Sequence, residues 1–324
     1  MTTNVEKAEG MFVGLAVGDA LGAPVEFGYS SRSIRRKWDG QMHDHRLPKG
    51  HYTDDTAMAL CLADSLIEQN GYDSYDVMDR YTRWVLEGYR DSEGMPASDV
   101  GNQTRSAIRA YLTKPVVYAD TERGYGAGNG GIMRIAPAVI VMANKSIEQT
   151  MSFARVSSRE THYSEIADAA AEVFGSMLWN ALHIEDKEDI TNAADYSTGE
   201  VYDDIVSKVN KTKNLRSEPN LRDLGGYVVD AIKIASWGFL NFDSFERGML
   251  AVIKLGGDTD TNGAIYGQLA GAYYGYEAIP EKWRSDLYKR DEIKDLASRL
   301  MNLESEGVLR TRFEEDGIGI FESN

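Results

Sequence analysis

This chain is organised around the stretch Leu255-Gly256-Gly257-Asp258-Thr259-Asp260-Thr261-Asn262-Gly263. The stretch places two carboxylates at positions i and i+2, each followed by a threonine hydroxyl, directly after a glycine pair. Hard oxygen donors of this kind suit Mg²⁺, Mn²⁺ or Ca²⁺ better than zinc. Asp and Thr are also common at helix N-termini, where they cap exposed backbone amides. Alone, the stretch leaves a metal loop and a structural cap open.

Glycines recur at every fourth position after this stretch and again near the N-terminus. The two sets are Gly10, Gly14, Gly18 and Gly22, and Gly263, Gly267, Gly271 and Gly275. Each glycine inside a helix costs about 1 kcal/mol relative to alanine. Close approach of a second helix would compensate that cost. We therefore expect the two sets to mark two buried core helices in tight contact, the first of them over residues 5–18.

A second oxygen-rich run lies near the other end of the chain. Thr53-Asp54-Asp55-Thr56 offers the same hard donors and leads into a helix predicted over residues 57–69. Its acidic residues would also suit the positive end of a helix dipole. A helix cap is again the simpler explanation for this run by itself. Together, the two runs favour a metal site that the fold assembles from distant segments.

Composition and charge indicate the class of protein and exclude some partners. The chain has 324 residues, of which 42% are hydrophobic and 27% charged, as is usual for a globular protein. A net charge of −16 argues against nucleic acid or an anionic membrane as the main partner. The lone Cys61 permits no disulfide within the chain, which fits a reducing cytoplasm. We expect no signal peptide and no membrane span.

Hydrophobic periodicity along the chain is helical. Apolar residues recur at helical spacing over residues 74–90, 101–112, 133–183, 224–239 and 242–255, and convincing alternation with period two is absent. The sequence predicts an all-α fold with a single compact multi-helix domain over residues 1–324. Residues 184–223 are the most charged and least patterned part, and we predict a surface excursion there.

Two further segments could bind a ligand or an ion. His43, His45 and His51 invite a zinc interpretation, but their spacing is irregular and no cysteine is near, so zinc is disfavoured. The glycine-dense stretch 124–134 exposes backbone amides before a helix. Such amides can cradle an anion.

Five patterns follow one another in a specific order along the chain. They are Gly14-Leu-Ala-Val-Gly-Asp-Ala-Leu-Gly-Ala-Pro-Val-Glu26, Thr53-Asp54-Asp55-Thr56, Asp99-Val-Gly-Asn-Gln-Thr104, Gly128-Asn-Gly-Gly-Ile-Met-Arg134 and Gly257-Asp-Thr-Asp-Thr-Asn262, with Thr161-His162 between the last two. This ordered set resembles the ADP-ribosylglycohydrolase family, which includes the bacterial enzyme that removes ADP-ribose from dinitrogenase reductase. The resemblance runs from about residue 10 to about residue 276, with 184–223 outside it.

The resemblance implies an all-helical protein that holds two Mg²⁺ or Mn²⁺ ions at the base of a cleft for ADP-ribose. The residues that it implies as metal ligands are Thr53, Asp54 and Asp55 from one side, and Asp258, Asp260 and Thr261 from the other. All-oxygen coordination agrees with these residue types. Two neighbouring ions need a shared carboxylate, for which Asp260 is the best candidate.

The resemblance also implies catalytic and ligand-binding residues. Glu26 and Asp99 are the catalytic candidates, because glycosidic cleavage needs a carboxylate to activate water or to receive a proton. As alternatives, Glu26 is a surface residue after the Pro24 turn and Asp99 is the N-cap of the helix 101–112. The implied ligand-binding residues are Gly128, Asn129, Gly130, Gly131 and His162. A histidine such as His162 is equally compatible with a structural role, and Arg134 is expected to be structural.

The implied function is a metal-dependent hydrolase that removes ADP-ribose from modified protein side chains, above all arginine, by cleaving the glycosidic bond at C1″. Alternatives are a hydrolase of another linkage (serine, O-acetyl or poly-ADP-ribose) and a non-catalytic ADP-ribose binder or toxin-immunity protein. One departure from the family pattern is Tyr163-Ser164-Glu165 after His162, where relatives often have a small or proline-containing turn. Both metal-binding runs are intact, which argues against an inactive relative.

Overall fold

The computed structural model describes residues 4–28, 31–117, 127–193, 196–213, 219 and 225–303. These residues form one compact all-α domain, as the sequence predicts, and the described part contains no β-strand. Its helices are α1 (Asn4–Gly22), α2 (Ser31–Lys37), α3 (Asp54–Glu68), α4 (Ser74–Glu87), α5 (Asn102–Thr113), α6 (Ala136–Val141), α7 (Ile147–Arg159), α8 (Glu165–His183), α9 (Lys187–Thr191), α10 (Glu200–Asn210), α11 (Val228–Asn241), α12 (Phe245–Ile253), α13 (Thr259–Tyr274), α14 (Glu281–Asp286) and α15 (Arg290–Met301).

The two glycine-rich helices, α1 and α13, pack against each other in the centre of the domain. A Cβ placed on Gly18 would lie 2.0 Å from the carbonyl oxygen of Gly263, and one on Gly267 would lie 2.0 Å from that of Gly14. At these contact positions only the hydrogen of a glycine fits, because the neighbouring atoms belong to the backbone of the other helix. The predicted contact between the two sets is confirmed. The helices run antiparallel, so Gly22 meets Thr259 at the last rung.

Burial explains the apolar character of α1. The stretch Asn4–Val25 is long and apolar enough to cross a membrane, but most of it is buried inside the protein. Asp19 is fully buried within this helix. Neighbours of α1 include α15, whose buried Leu296 and Leu300 belong to the core. The helix α15 thus adds a second layer of packing against α1.

The region 133–183 contains three separate helices, α6, α7 and α8. Pro137 lies in the first turn of α6, where the missing amide hydrogen costs nothing. Ser146 begins α7 with a reciprocal capping box to Gln149. These caps give the physical reason for the starts of α6 and α7.

The segment 184–223 contains α9 and α10, each with one apolar face. Ile190, Tyr202, Ile205 and Val209 are buried, and α10 packs against α8 and α11. The polar faces of these helices account for the high charge of the segment. One face of each helix in the described part of this segment therefore packs against the core. The prediction of a surface excursion did not include this packing.

Candidate metal and ligand site

The first half of the candidate site is the N-terminus of α3. Asp19 of α1 holds this N-terminus in place through hydrogen bonds. The Asp19 carboxylate accepts hydrogen bonds from the backbone amides of Thr53 and Thr56 at 2.9 and 3.0 Å. It also accepts from their hydroxyls at 2.8 and 2.6 Å. Asp19 thus satisfies the donors at the start of α3. The Asp55 Oδ2 atom accepts a longer hydrogen bond from the Thr53 hydroxyl at 3.4 Å. Thr53 stands at the N-cap position but makes no side-chain cap bond.

The second half is the N-terminus of α13, which is held against the end of α1. The Thr259 hydroxyl donates to the carbonyl oxygen of Gly22 at 2.8 Å. Gly256 and Gly257 precede it with φ of +80° and +79°, a conformation that favours glycine. Asp258 occupies the N-cap position without a side-chain cap bond. Neither Thr53 nor Asp258 uses its side chain to cap its helix, so the alternative of a structural cap does not account for these two side chains.

Glu26 joins this second half through the loop that follows α1. The amide of Phe27 donates to the carbonyl oxygen of Gly257 at 2.9 Å, which fixes the loop beside the start of α13. One carboxylate oxygen each from Glu26, Asp258 and Asp260 lie within 4.8 Å of one another. Glu26 is half-buried. The alternative of a free surface residue after Pro24 does not describe this position.

The carboxylates of both halves affect one another electrostatically. Burial, then the charges of Asp258 and Asp99, raise the pKa of Glu26 to about 7. Burial, then the neighbouring acidic groups, raise the pKa of Asp54 and Asp55 well above the usual range, and Asp258 and Glu26 are among those groups. Like charges raise each other's pKa only when they are close. The two distant runs of sequence thus meet at one place.

This cluster fits a hard divalent cation. Its donors are carboxylate and hydroxyl oxygens, which such ions prefer. The Asp55 Oδ1 atom is buried and has no hydrogen-bond partner, which is costly unless another group binds it. Within the described residues, Glu26, Asp258 and Asp260 form the one group of three or more acidic, His or Cys side chains close enough to hold an ion.

The histidines near residue 45 serve other purposes. The His43 Nε2 atom lies 2.8 Å from Asp39 Oδ1, and the His51 ring stacks on Tyr288 with centroids 4.4 Å apart. In the described part of the chain they form no metal cluster with His45.

The glycine-rich loop approaches the cluster from a third side through Asn129. The Asn129 Nδ2 atom donates to Asp258 Oδ2 at 2.8 Å, and the Asn129 amide donates to the carbonyl of Gly226 at 2.9 Å. The Gly128 amide points to the side-chain oxygen of Gln103 at 3.3 Å. Protein acceptors therefore already use two of the four amides proposed as an anion cradle. Residues 124–126, the first part of the glycine-dense stretch, lie outside the described residues.

His162 lies behind this loop. It is 3% exposed, and a Cβ on Gly130 would lie 2.6 Å from its ring. Burial, then the charge of Arg134, lower the pKa of His162 to about 3, so the ring is neutral. Its Nδ1 atom lies 2.8 Å from the hydroxyl of Thr161. Through these contacts His162 packs against the buried side of the loop. A direct contact between His162 and a ligand stays a prediction.

Arg134 ties the loop and His162 to the core, in the structural role that the sequence predicts. It is fully buried and donates to the carbonyl of Gly130, to the Tyr81 hydroxyl at 2.9 Å and to the Thr161 hydroxyl at 2.7 Å. Its ion-pair partner is Glu160 at 3.6 Å. Both Glu160 oxygens accept from tyrosine hydroxyls, Tyr72 at 2.9 Å and Tyr81 at 3.0 Å. Burial outweighs these contacts and raises the pKa of Glu160 to about 7.

Asp99 lies at the exposed edge of the cluster. It raises the pKa of Glu26, Asp54 and Asp258, so its charge is near theirs. Helix α5 has Gly101 as its N-cap with no side-chain cap bond, so the N-cap alternative for Asp99 is wrong. Instead, Asp99 pairs with Arg46 at 2.8 Å, and each side chain is 46% exposed.

Sequence reasoning missed several residues that build this site. Asp19 holds the start of α3, Glu160 pairs with Arg134, and Arg46 pairs with Asp99. The one available signal was Asp19, a charged residue in the middle of an apolar helix. Its burial requires hydrogen-bond partners, but the sequence does not say where they are.

Comparisons with known proteins agree with this geometry. A family model described as ADP-ribosylglycohydrolase matches residues 1–308. The chain is 32% identical over 317 residues to ADP-ribosylarginine hydrolase Tri1 of Serratia proteamaculans, covering 94% of this chain and 81% of that protein. It is 31% identical to the ADP-ribosyl-[dinitrogen reductase] glycohydrolase of Rhodospirillum rubrum, covering 87% and 90%. A solved ADP-ribosylglycohydrolase-related protein complex superposes with a TM-score of 0.79 at 37% identity, covering 94% of this chain and 99% of that one.

Proposed function

This chain belongs to the ADP-ribosylglycohydrolase family, and we propose that it is a metal-dependent hydrolase of ADP-ribosylated arginine side chains. The observation that carries the proposal is the group of oxygens from Glu26, Asp258 and Asp260 within 4.8 Å of one another. The start of α3 adds its carboxylates to the same cluster. An assembly of like charges at this depth is unfavourable unless cations or protons compensate it.

The cluster provides ligands for two divalent cations, Mg²⁺ or Mn²⁺. The proposed ligands are Thr53, Asp54 and Asp55 from α3, and Asp258, Asp260 and Thr261 from α13. Such cations orient sugar hydroxyls and stabilise charge in the transition state. Asp19 does not belong to this set, because its oxygens already accept four hydrogen bonds from Thr53 and Thr56. It positions the α3 ligands instead.

Glu26 is the proposed general base. Its carboxylate lies beside those of Asp258 and Asp260, where it can accept a proton from a water molecule. Glu26 would take a proton from a water molecule while the water oxygen bonds to C1″. The bond between C1″ and the guanidine nitrogen breaks, and its electron pair leaves with the guanidine, which gains a proton. The products are ADP-ribose and unmodified arginine.

Asp99 is the proposed acceptor for the target arginine. Its carboxylate lies at the solvent edge of the cluster and is already paired with a guanidinium, that of Arg46. Carboxylates bind guanidinium groups through two parallel hydrogen bonds, which favours arginine over serine. The relative from Serratia proteamaculans is named ADP-ribosylarginine hydrolase, which supports the same linkage.

The glycine loop is the proposed contact for the phosphates or ribose of the ligand. Gly130 and Gly131 carry the amides best placed for this role, since those of Gly128 and Asn129 have protein acceptors. Their lack of side chains is also required by His162 and Ser158 behind them. Both glycines are themselves buried, and the loop has a rigid base.

The test is a linkage-specific hydrolysis assay. Peptides carrying ADP-ribose on arginine or on serine are incubated with the protein and Mg²⁺ or Mn²⁺, with EDTA and Asp260→Ala as controls. We expect release from arginine that both controls abolish. Release that survives both would overturn the metal role, and faster release from serine would overturn the arginine assignment. Binding of ADP-ribose without turnover on either peptide would instead support a non-catalytic binder.

A further inference from the structure

Arg46 stands on a short, well-anchored turn beside the cluster. The amide of His45 donates to the carbonyl of Leu47 at 2.9 Å, and the amide of Lys49 donates to Asp44 Oδ1 at 2.8 Å. The Lys49 ammonium pairs with Asp286 at 2.8 Å, which ties the turn to α14. The backbone at Arg46 is thus fixed from both sides. Its side chain, 46% exposed, can still change position without any movement of the turn.

The pair of Arg46 with Asp99 is a weak source of stability. Exposed pairs of this kind contribute little to the free energy of unfolding. Asp99 also caps no helix. The position of the pair is more informative, because Asp99 raises the pKa of Glu26 and Arg46 lowers it. A guanidinium therefore already lies at the edge of the carboxylate cluster.

We propose that Arg46 occupies, in the free protein, the place that the guanidinium of a substrate arginine takes against Asp99. Arg46 then competes with the substrate and sets the affinity of the site for arginine. This inference rests on the proposed arginine linkage. An exposed pair opens at low cost, so a substrate held elsewhere by its ADP-ribose can displace Arg46. A bare arginine on an unmodified protein lacks that second contact and is excluded.

The direct test uses N-methylguanidinium as the probe and needs no turnover. Its binding is followed by two-dimensional NMR in the wild type and in Arg46→Ala at low ionic strength. We expect Arg46→Ala to bind the probe about twofold to fivefold more tightly, the range that an exposed ion pair provides. Asp99→Asn should abolish saturable binding. Equal or weaker binding by Arg46→Ala would overturn the proposal.

Two controls separate competition from a general change of charge. Methylammonium lacks the planar fork of a guanidinium, so Arg46→Ala should increase its affinity clearly less than that of N-methylguanidinium. An equal increase would contradict competition for a site shaped for a guanidinium. Arg247→Ala removes another exposed arginine paired with an aspartate, Asp243, at 2.7 Å. It should leave the binding of both probes unchanged.

A kinetic measurement links the inference to the proposed reaction. With ADP-ribosylarginine peptide, Arg46→Ala should lower KM twofold to fivefold and leave kcat unchanged, as expected for a competitor removed from the ground state. A rise in KM would show that Arg46 assists the substrate, against the proposal. If the wild type does not hydrolyse the peptide, the proposed function fails, while the methylguanidinium result still decides the role of Arg46.

Discussion

Alanine at Gly267 should push α1 and α13 apart and disturb the carboxylate cluster at the start of α13. The new Cβ would lie 2.0 Å from the carbonyl oxygen of Gly14 and 2.5 Å from its carbonyl carbon. Non-bonded heavy atoms prefer a separation of about 3.5–4.0 Å. The helices must therefore separate by about 1.5 Å at this rung, because the opposing atoms are backbone and cannot rotate away.

The expected loss of stability follows from two opposing effects. Overpacking a core costs about 1–3 kcal/mol when neighbours can adjust, and the rigid backbone here favours the upper end, about 3 kcal/mol. Alanine returns about 1 kcal/mol through its better helix propensity. The net loss is about 2 kcal/mol. In a chain of this length that lowers the melting temperature by about 4 °C.

The measurement combines thermal and urea unfolding with Mn²⁺ titration calorimetry. Gly101→Ala is the matched control, since φ at Gly101 is −52° and the nearest atom to a new Cβ is 4.0 Å away. The control should stay within about 0.5 kcal/mol of the wild type. Gly267→Ala should also bind Mn²⁺ more weakly, because Asp258 and Asp260 start the same helix. A melting temperature equal to or above that of the wild type would refute the close-packing argument.

Three further predictions concern the cluster and its supports. Burial raises the pKa of Glu26 to about 7, whereas its ordinary pKa is 4.5, so between these pH values the folded protein holds a proton that the unfolded chain has lost. In EDTA, the free energy of unfolding should therefore fall as the pH rises from about 4.5 to about 8, and it should fall less in Glu26→Gln. Added Mg²⁺ should raise the melting temperature more at pH 8 than at pH 5. A steeper fall in Glu26→Gln would contradict this. Asp19→Asn removes acceptors for Thr56 and Thr53 and should cost about 1–3 kcal/mol in urea unfolding with weaker Mn²⁺ binding; unchanged Mn²⁺ affinity would argue against a positioning role. Arg134→Leu should cost about 3–5 kcal/mol because it leaves Glu160 buried without its partner, and adding Glu160→Gln should recover part of that loss; no recovery would mean that the pair is not the cause.

Features with a local sequence signature were predictable. Glycine at every fourth position places the missing side chains on one helix face, which indicates a close helix contact regardless of the partner. The runs at Thr53 and Asp258 likewise carry their chemistry in adjacent residues. Helix boundaries were less predictable, as at α3, which begins at Asp54 instead of residue 57. A cap formed by a distant residue, Asp19, is not visible in the local pattern.

The sequence by itself determined the all-α class, the contact between the two glycine-rich helices and the oxygen-donor chemistry of the two runs. Only the tertiary structure decided that Asp19 supports α3, that Glu26 belongs to the cluster, and that His162 lies behind the glycine loop. It alone paired Asp99 with Arg46. The physical reason is that periodicity fixes the direction of side chains within one helix, whereas hydrogen bonds and ion pairs between distant residues depend on how the helices pack.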